Sequence, residues 1–380
     1  MQTNPSRIQF IDLLRGLAVV VMIMGHSVDA VLSNDARTTD WYRVYEVMRG
    51  FTAPVFLFVS GMAFMAASAG KWDQYRMPGK PLTRRIRRFL LLIGIGYALH
   101  FPFFSLHRIL ADASPGQLAL LFQADVLHCV GAGLLILQGM LILSPGPERF
   151  TRFALPAGVL LVLASPLVWR VDFSGLVSPM LSPYLNQQQT SIFPLFPFAG
   201  FMFLGAAAGE LYLRARREGR EARFVRAMLL AGPVLAAAGA AAELLPFRLY
   251  PEPGFWKASP NLFLMRLGVV LVVIPLVHSL GRIPEGVRRM GVMLGQASLT
   301  VYVVHLVVAY GSPLNSGLAQ VVGRSLGPGG AFLTGLCMLA AMAVFVRIRN
   351  YATEHHAGAI RIAGLAVAGT LAAVFLTVSP

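Results

Sequence analysis

Long apolar runs recur along the whole of this chain, and they restrict its fold more than any other feature. Runs of about 18 or more mostly apolar residues are each long enough to cross a hydrocarbon layer of about 30 Å as a helix. Only 13% of the 380 residues are charged, against roughly 25% in soluble domains. The sequence does not show the alternating pattern of a membrane barrel. The chain is therefore predicted to be an all-α, polytopic transmembrane helical bundle.

About eleven spans are predicted from these runs. The fifth and tenth are short, which indicates a tilted or re-entrant segment or a misplaced boundary. No internal repeat, low-complexity tract or soluble linker interrupts the series, so residues 1–380 are predicted to form a single transmembrane domain. The predicted spans cover residues 10–32, 49–69, 89–106, 119–143, 153–168, 191–212, 227–245, 262–281, 292–310, 330–346 and 360–378.

The net charge of +15 would suggest a nucleic-acid partner in a soluble protein. Here the basic residues lie in alternate loops, and loops rich in Lys and Arg stay in the cytoplasm. The N-terminus is therefore predicted to be cytoplasmic, with membrane lipids and no nucleic acid among the partners. The basic loops follow the second, sixth, eighth and tenth spans and contain Lys71, Arg76, Lys80, Arg84, Arg85, Arg87, Arg88, Arg214, Arg216, Arg217, Arg220, Arg223, Arg226, Arg282, Arg288, Arg289, Arg347 and Arg349.

The first span holds the densest set of ionisable residues, namely Asp12, Arg15, His26 and Asp29. Such residues are costly in a membrane and are functional candidates by default. Arg15 and His26 share one helix face, about 16 Å apart along the axis. Asp12 and Arg15 are spaced to neutralise each other. The same spacing allows Asp29 to accept the imidazole N–H of His26 and raise its basicity.

A histidine held in this way takes a proton from a hydroxyl or an amine. The alternative is that His26 is a histidine in water at the end of a span, and that Asp12 and Arg15 mark a helix entrance. Spacing alone leaves both interpretations open.

The basic run Thr83–Arg88 leads into the third predicted span. Most runs of this kind only orient the chain in the membrane. A phosphate site is the functional alternative, because the forked donors of arginine suit phosphate oxygens.

The sequence lacks the motifs of metal sites, serine hydrolases and disulfide frameworks, and two further histidines are interpreted as packing residues. No metal-ligand spacing occurs, and the GxSxG motif of serine hydrolases is missing. Cys129 and Cys337 fall inside apolar segments, so neither belongs to a disulfide framework. His128 and His305 lie inside predicted spans and are interpreted as hydrogen-bonded packing residues rather than catalysts.

Residues 7–18, continuing through Met22 to His26, resemble the opening of the transmembrane acyltransferases. The resemblance is closest to bacterial relatives of heparan-α-glucosaminide N-acetyltransferase, and more distant to the membrane O-acetylases of surface glycans, whose Arg-X10-His marker matches Arg15 and His26. The chain departs from the family pattern at two places. The heparan enzyme has a catalytic histidine in the loop after the first span, but residues 33–48 contain no histidine, so the role of His26 is taken from the O-acetylase pattern. The tryptophan typical of the sixth-span motif is replaced by Phe198 or a neighbour. The further matching segments are residues 53–61, the pair Arg85 and Arg87, and residues 125–131, 193–209 and 298–305.

The resemblance implies an acyltransferase of a bacterial inner membrane. It implies acetyl-CoA as a cytoplasmic acyl donor, no metal, and a glycan or small-molecule acceptor on the other side. His26 would deprotonate the acceptor hydroxyl or amine, or would itself carry the acyl group, with Asp29 and Arg15 assisting. The CoA phosphates would be held by Arg85 and Arg87, with Arg84 and Arg88 beside them. The remaining matched polar residues, which would contact substrate or support structure, are Asp12, Ser60, His128, Tyr302 and His305.

Two other functions are compatible with a bundle of this kind. A transporter or lipid-linked glycan carrier would explain the embedded charges and the many Gly and Pro residues, but no two halves with matching hydropathy are found. A structural or sensory membrane protein would tolerate changes at His26 or Arg85. Binding of a CoA thioester would separate the enzyme from both.

Overall fold

The computed structural model describes residues 8–187, 191–245, 250, 255–279 and 284–377. Within these ranges the ordered elements are helices, with two isolated β-bridges and no strand. Arg7, Arg282 and the ends of two predicted spans, residues 280–281 and 378, lie outside the described residues. The α-helices are α1 Gln9–Val31, α2 Asp40–Arg49, α3 Thr52–Ala69, α4 Trp72–Arg76, α5 Lys80–Leu99, α6 Leu106–Asp112, α7 Pro115–Leu121, α8 Val126–Leu143, α9 Pro147–Val168, α10 Leu195–Arg217, α11 Glu221–Glu243, α12 Phe255–Ala258, α13 Pro260–Ser279, α14 Glu285–Gln296, α15 Ser298–Tyr310, α16 Leu318–Val321, α17 Pro328–His355 and α18 Ala357–Thr377.

The predicted all-α polytopic bundle is confirmed. Among the described residues, nine helices are long and apolar enough to cross a membrane, or up to ten if one bent pair counts as a single span. Helix α1 agrees closely with the first predicted span, and α18 agrees with the last. Helices α9 and α17, with 22 and 28 residues, are full-length, so the fifth and tenth predicted spans are short because their boundaries are misplaced, which is one of the alternatives that the sequence indicates.

The third and fourth predicted spans are placed differently by the structure. Helix α5 begins at Lys80 and ends at Leu99, and residues 100–105 are not helical, so the span predicted at 89–106 is wrong in extent. The apolar part of α5 is short because its first half carries the basic run. The span predicted at 119–143 begins only at Val126, where Asp125 caps α8 by accepting the backbone N–H of Leu127 and His128.

The ninth predicted span is a broken helix. Helices α14 and α15 meet at Ala297 with a bend of 83°. Residues 292–310 therefore comprise the end of α14 and the whole of α15 rather than one straight span.

The chain forms two compact units, as judged from the close contacts within it. The assignment of a single transmembrane domain stays a prediction. The first unit comprises Met1–Leu14, Gly50–Gly96 and Phe122–Pro284. Its helices α3 and α10 touch at their backbones. A Cβ atom on Gly61 would lie 2.0 Å from the carbonyl oxygen of Met202, and one on Gly205 would lie 2.0 Å from that of Phe58. Glycine is required at both positions because only hydrogen fits there.

The second unit comprises Arg15–Arg49, Tyr97–Leu121 and Glu285–Pro380. Its apolar core is built from α1, α14, α15 and α17, and includes the fully buried residues Val19, Ile23 and Val301. Helices α1 and α14 approach so closely that a Cβ atom on Gly16 would lie 1.9 Å from the carbonyl oxygen of Gly291. This packing holds the C-terminal half of α1, which carries His26, against the C-terminal third of the chain.

Candidate active site

The candidate site forms around His26 in the second unit. His26 lies one turn before the end of α1 and is half-buried. Its Nδ1 atom lies 3.2 Å from the hydroxyl of Tyr310, the last residue of α15. The same hydroxyl lies 2.9 Å from Oδ2 of Asp29. Asp29 thus reaches His26 through Tyr310, and the direct contact predicted from their spacing is corrected, because a side chain 284 positions away stands between them.

The hydrogen-bond directions set the tautomer of His26. The Tyr310 hydroxyl has one hydrogen, and an ionised carboxylate only accepts, so Tyr310 donates to Asp29. Its other contact, with the backbone oxygen of His26, is longer at 3.4 Å. The Tyr310 oxygen therefore accepts from Nδ1–H of His26. This leaves Nε2 with a lone pair, and no described residue hydrogen-bonds to it.

Two arginines pair with the carboxylate of Asp29. Nη1 of Arg37 lies 3.0 Å from Oδ1, and Nη1 of Arg49 lies 3.5 Å from the same atom. Arg37 also donates to the backbone oxygens of Asp29, at 2.6 Å, and of Leu32, at 3.3 Å. These are carbonyls at the C-terminal end of α1 that have no partner within the helix. Arg37 therefore fixes both the carboxylate and the helix end that carries it.

A second histidine lies beside the first. The ring centroids of His26 and His305 are 5.4 Å apart, and the ring centroid of Tyr302 lies 5.8 Å from that of His305. Nδ1 of His305 lies 2.8 Å from the backbone oxygen of Val301, one turn earlier in α15. His305 is fully buried. The structure thus brings three sequence-predicted residues together, namely His26, His305 and Tyr302.

The end of α15 is held by a tight turn, which positions the Tyr310 side chain. Gly311 has φ +79°, and a Cβ atom there would lie 2.7 Å from the backbone oxygen of Asn315. Only glycine meets both conditions without strain. The side chain of Gln320 donates to the backbone oxygen of Tyr310 at 2.8 Å.

Arg15 lies at the helix break of the second unit. Its Nη2 atom donates to Oγ of Ser298, the first residue of α15, at 2.6 Å. The predicted role of Arg15 in substrate binding stays a prediction. Asp12 is buried on the same helix.

The basic run on α5, in the first unit, divides into two faces. Successive helical residues turn by about 100°, so Arg85 and Arg87 point in nearly opposite directions. Arg84, Arg87 and Arg88 are exposed and share one face. Arg85 is buried instead. The matched pair Arg85 and Arg87 therefore does not present both guanidinium groups to the same phosphate.

Arg85 is held by the protein itself. Its Nη2 atom donates to Oγ of Ser68, at 2.8 Å, and to the backbone oxygen of Phe64, at 3.3 Å. Its guanidinium carbon lies 4.2 Å from the ring centroid of Phe64 and 4.3 Å from that of Tyr75. Burial lowers the pKa of Arg85 to about 10, which leaves it a cation at neutral pH. Arg85 therefore joins α3, α4 and α5.

The other predicted polar residues are local contacts of the first unit. Ser60 donates to the backbone oxygen of Phe56 within α3, at 2.8 Å. His128 is fully buried, and its Nδ1 atom lies 2.7 Å from Oδ1 of Asp125. In the part of the chain that the structure describes, no cluster of three or more His, Cys, Asp or Glu side chains is arranged to hold a metal ion.

Three residues of the site were missed by sequence reasoning. Tyr310, Arg37 and Arg49 each contact His26 or Asp29, but none was singled out from the sequence. Arg37 and Arg49 belong to residues 33–49, which follow the first span, and their pairing with Asp29 depends on how that segment folds back. Tyr310 ends a predicted span as an ordinary aromatic residue.

Comparison with known proteins identifies the family. The family described as heparan-alpha-glucosaminide N-acetyltransferase, catalytic, matches residues 7–244, which is more than half of the chain. Comparison with curated proteins gives no match. The matched range contains His26, Asp29 and the basic run of α5, whereas His305 and Tyr310 lie beyond it. With its apolar helices, the chain is an integral multi-pass membrane protein that belongs to the heparan-α-glucosaminide N-acetyltransferase family of membrane acetyltransferases.

Proposed function

We propose that this protein transfers an acetyl group from cytoplasmic acetyl-CoA to an amine or hydroxyl of a glycan or small acceptor. The observation that carries the proposal is His26, whose Nδ1–H is bound to Tyr310 and whose Nε2 keeps its lone pair. A neutral imidazole with one anchored nitrogen and one free nitrogen is the form that a general base needs. We place the protein in a bacterial inner membrane with its N-terminus in the cytoplasm, as the distribution of Lys and Arg indicates.

The chemistry assigned to His26 is proton removal. The attacking oxygen or nitrogen of the acceptor bonds to the acetyl carbon while the bond from that carbon to the CoA sulfur breaks. Nε2 of His26 takes the proton of the attacking atom, and the departing thiolate receives that proton when the products leave. Asp29, through Tyr310, stabilises the imidazolium that forms in between. The alternative route is attack by Nε2 of His26 itself on the acetyl carbon, which gives an acetyl-histidine intermediate.

The phosphates of the donor are assigned to the exposed face of α5. Arg84, Arg87 and Arg88 are exposed and project from one side of the helix, so several guanidinium groups are available to the 3′-phosphate and the pyrophosphate of CoA. Arg85 is excluded from this role because its guanidinium is buried against Phe64 and Tyr75.

The function is tested with purified protein in lipid nanodiscs. Radiolabelled acetyl-CoA is supplied with either methyl α-glucosaminide or methyl α-glucoside, which differ only in an amine and a hydroxyl. We expect acetyl transfer to at least one of them, and the preference reports the acceptor atom. Folded protein that neither binds acetyl-CoA nor transfers acetyl to either sugar would contradict the proposal and favour a transporter.

The arginine assignment gives a separate prediction. Replacing Arg84, Arg87 and Arg88 together by glutamine is expected to weaken acetyl-CoA binding about tenfold or more, because each lost pair is a charge-assisted hydrogen bond. Titration with acetyl-CoA and with acetyl-dephospho-CoA measures this, and the triple variant should discriminate less between them than the wild type.

Arg85→Gln is the matched control for the triple variant. It is expected to lower the thermal stability of the protein but to change the Kd for acetyl-CoA by less than about twofold in the folded fraction, because Arg85 bonds inward to Ser68. If Arg85→Gln loses acetyl-CoA binding and the triple variant does not, Arg85 and not the exposed arginines binds the phosphates.

A further inference from the structure

His305 holds a buried acceptor atom with no partner. Its Nδ1 atom contacts a backbone carbonyl, which only accepts, so Nδ1 carries the hydrogen. Nε2 of His305 therefore has a lone pair. This atom is buried and has no hydrogen-bond partner among the described residues. Leaving such an acceptor unpaired is unfavourable, because burial removes the hydrogen bonds that water would give it.

The two histidines cannot satisfy each other. Nδ1 of His26 is committed as a donor to Tyr310, and Nδ1 of His305 is committed to Val301. Neither Nε2 atom then carries a hydrogen, so no hydrogen bond joins the rings, although their centroids are only 5.4 Å apart. Any hydrogen that pairs these two lone pairs has to come from outside the described residues, from a ligand or from water.

We infer that Nε2 of His305 accepts a hydrogen bond from the acceptor substrate and holds it against His26. The inference rests on the proposed function. His305 makes no covalent bond and takes no proton in the reaction. It orients the acceptor molecule through one of its N–H or O–H groups, while His26 removes the proton of the attacking atom. Such a contact is a common way to raise rate through position alone.

The local hydrogen bond of His305 provides a discriminating pair of variants. Asparagine places an amide near the Nδ1 position and keeps the bond to Val301, but it has no atom near Nε2. Glutamine reaches the Nε2 position and presents a carbonyl acceptor there. A purely structural histidine is replaced better by asparagine, whereas an acceptor for substrate is replaced better by glutamine.

The experiment measures kcat and KM for both substrates in wild type, His305→Gln, His305→Asn and His26→Ala, with methyl α-glucosaminide and methyl α-glucoside as acceptor probes. We expect His305→Asn to lose about tenfold or more in kcat/KM for the acceptor, with KM for acetyl-CoA unchanged. His305→Gln should retain most of the wild-type value. If the asparagine protein does not fold, His305→Phe, which keeps a ring but no nitrogen, replaces it.

The outcomes separate the two proposals. Equal activity of the glutamine and asparagine variants, or higher activity of asparagine, would overturn the role of His305 while His26→Ala remains inactive. Full activity of His26→Ala, or no acetyl transfer by the wild type, would overturn the proposed function itself.

Discussion

Replacing His26 by alanine is expected to lower kcat for acetyl transfer by about 10²- to 10⁴-fold, the usual contribution of a general base. The affinity for acetyl-CoA should stay within about twofold, because the phosphates are assigned to the exposed arginines of α5. The measurement is a steady-state assay beside equilibrium binding of acetyl-CoA. Added imidazole is expected to restore part of the activity, since it supplies the missing base in the space left by the side chain.

Tyr310→Phe is the graded control for this experiment. It removes the atom that accepts from His26 and donates to Asp29 but leaves the imidazole in place. We expect an intermediate loss in kcat, with KM for acetyl-CoA unchanged. A Tyr310→Phe protein as active as the wild type would show that His26 needs no anchor. Retained turnover in His26→Ala would remove His26 from the mechanism.

Replacing Gly205 by alanine is expected to destabilise the protein by about 3 kcal/mol or more. The new methyl group would lie 2.0 Å from the carbonyl oxygen of Phe58 and 2.8 Å from its carbonyl carbon. These are backbone atoms of α3, so no side chain can turn aside, and the two helices have to separate. Thermal unfolding in detergent, followed by size-exclusion chromatography, measures the fall in Tm.

Gly139→Ala is the matched control in the same unit. Gly139 lies inside α8 and has no neighbouring atom within 4 Å of a Cβ position. The substitution is expected to leave Tm unchanged or to raise it slightly, because alanine favours a helix by about 1 kcal/mol over glycine. An equal fall in Tm for both variants would show that the contact between α3 and α10 is not the cause.

The helical bundle could be predicted from the sequence because its signal is local. A run of apolar residues forms a helix in a membrane whatever its neighbours do, since its backbone groups have no other partner there. Prediction fails where apolar and charged residues mix. Helix α5 begins at Lys80, well before its apolar part, and the bend between α14 and α15 lies inside a run that reads as continuous.

Only the centre of the candidate site could be predicted in the same way. His26 and Asp29 stand out because they are ionisable residues in an apolar helix, and their spacing is visible in the sequence. The link between them is Tyr310, and an aromatic residue at the end of a span carries no local signal of such a role. Arg85 was predicted from a motif to be a ligand, whereas burial on one helix face makes it an anchor.

The second unit is built from segments that are far apart in the sequence, and this affects the order in which its site is synthesised. His26 leaves the ribosome early, and 284 positions separate it from Tyr310. At about 5–20 residues per second this interval lasts roughly 15–60 s. During that time α1 is already in the membrane with Asp29 and His26 but without the hydroxyl that joins them. A nascent chain cut short before Tyr310 is expected to be inserted yet inert, because the proposed site then lacks the hydroxyl that anchors His26.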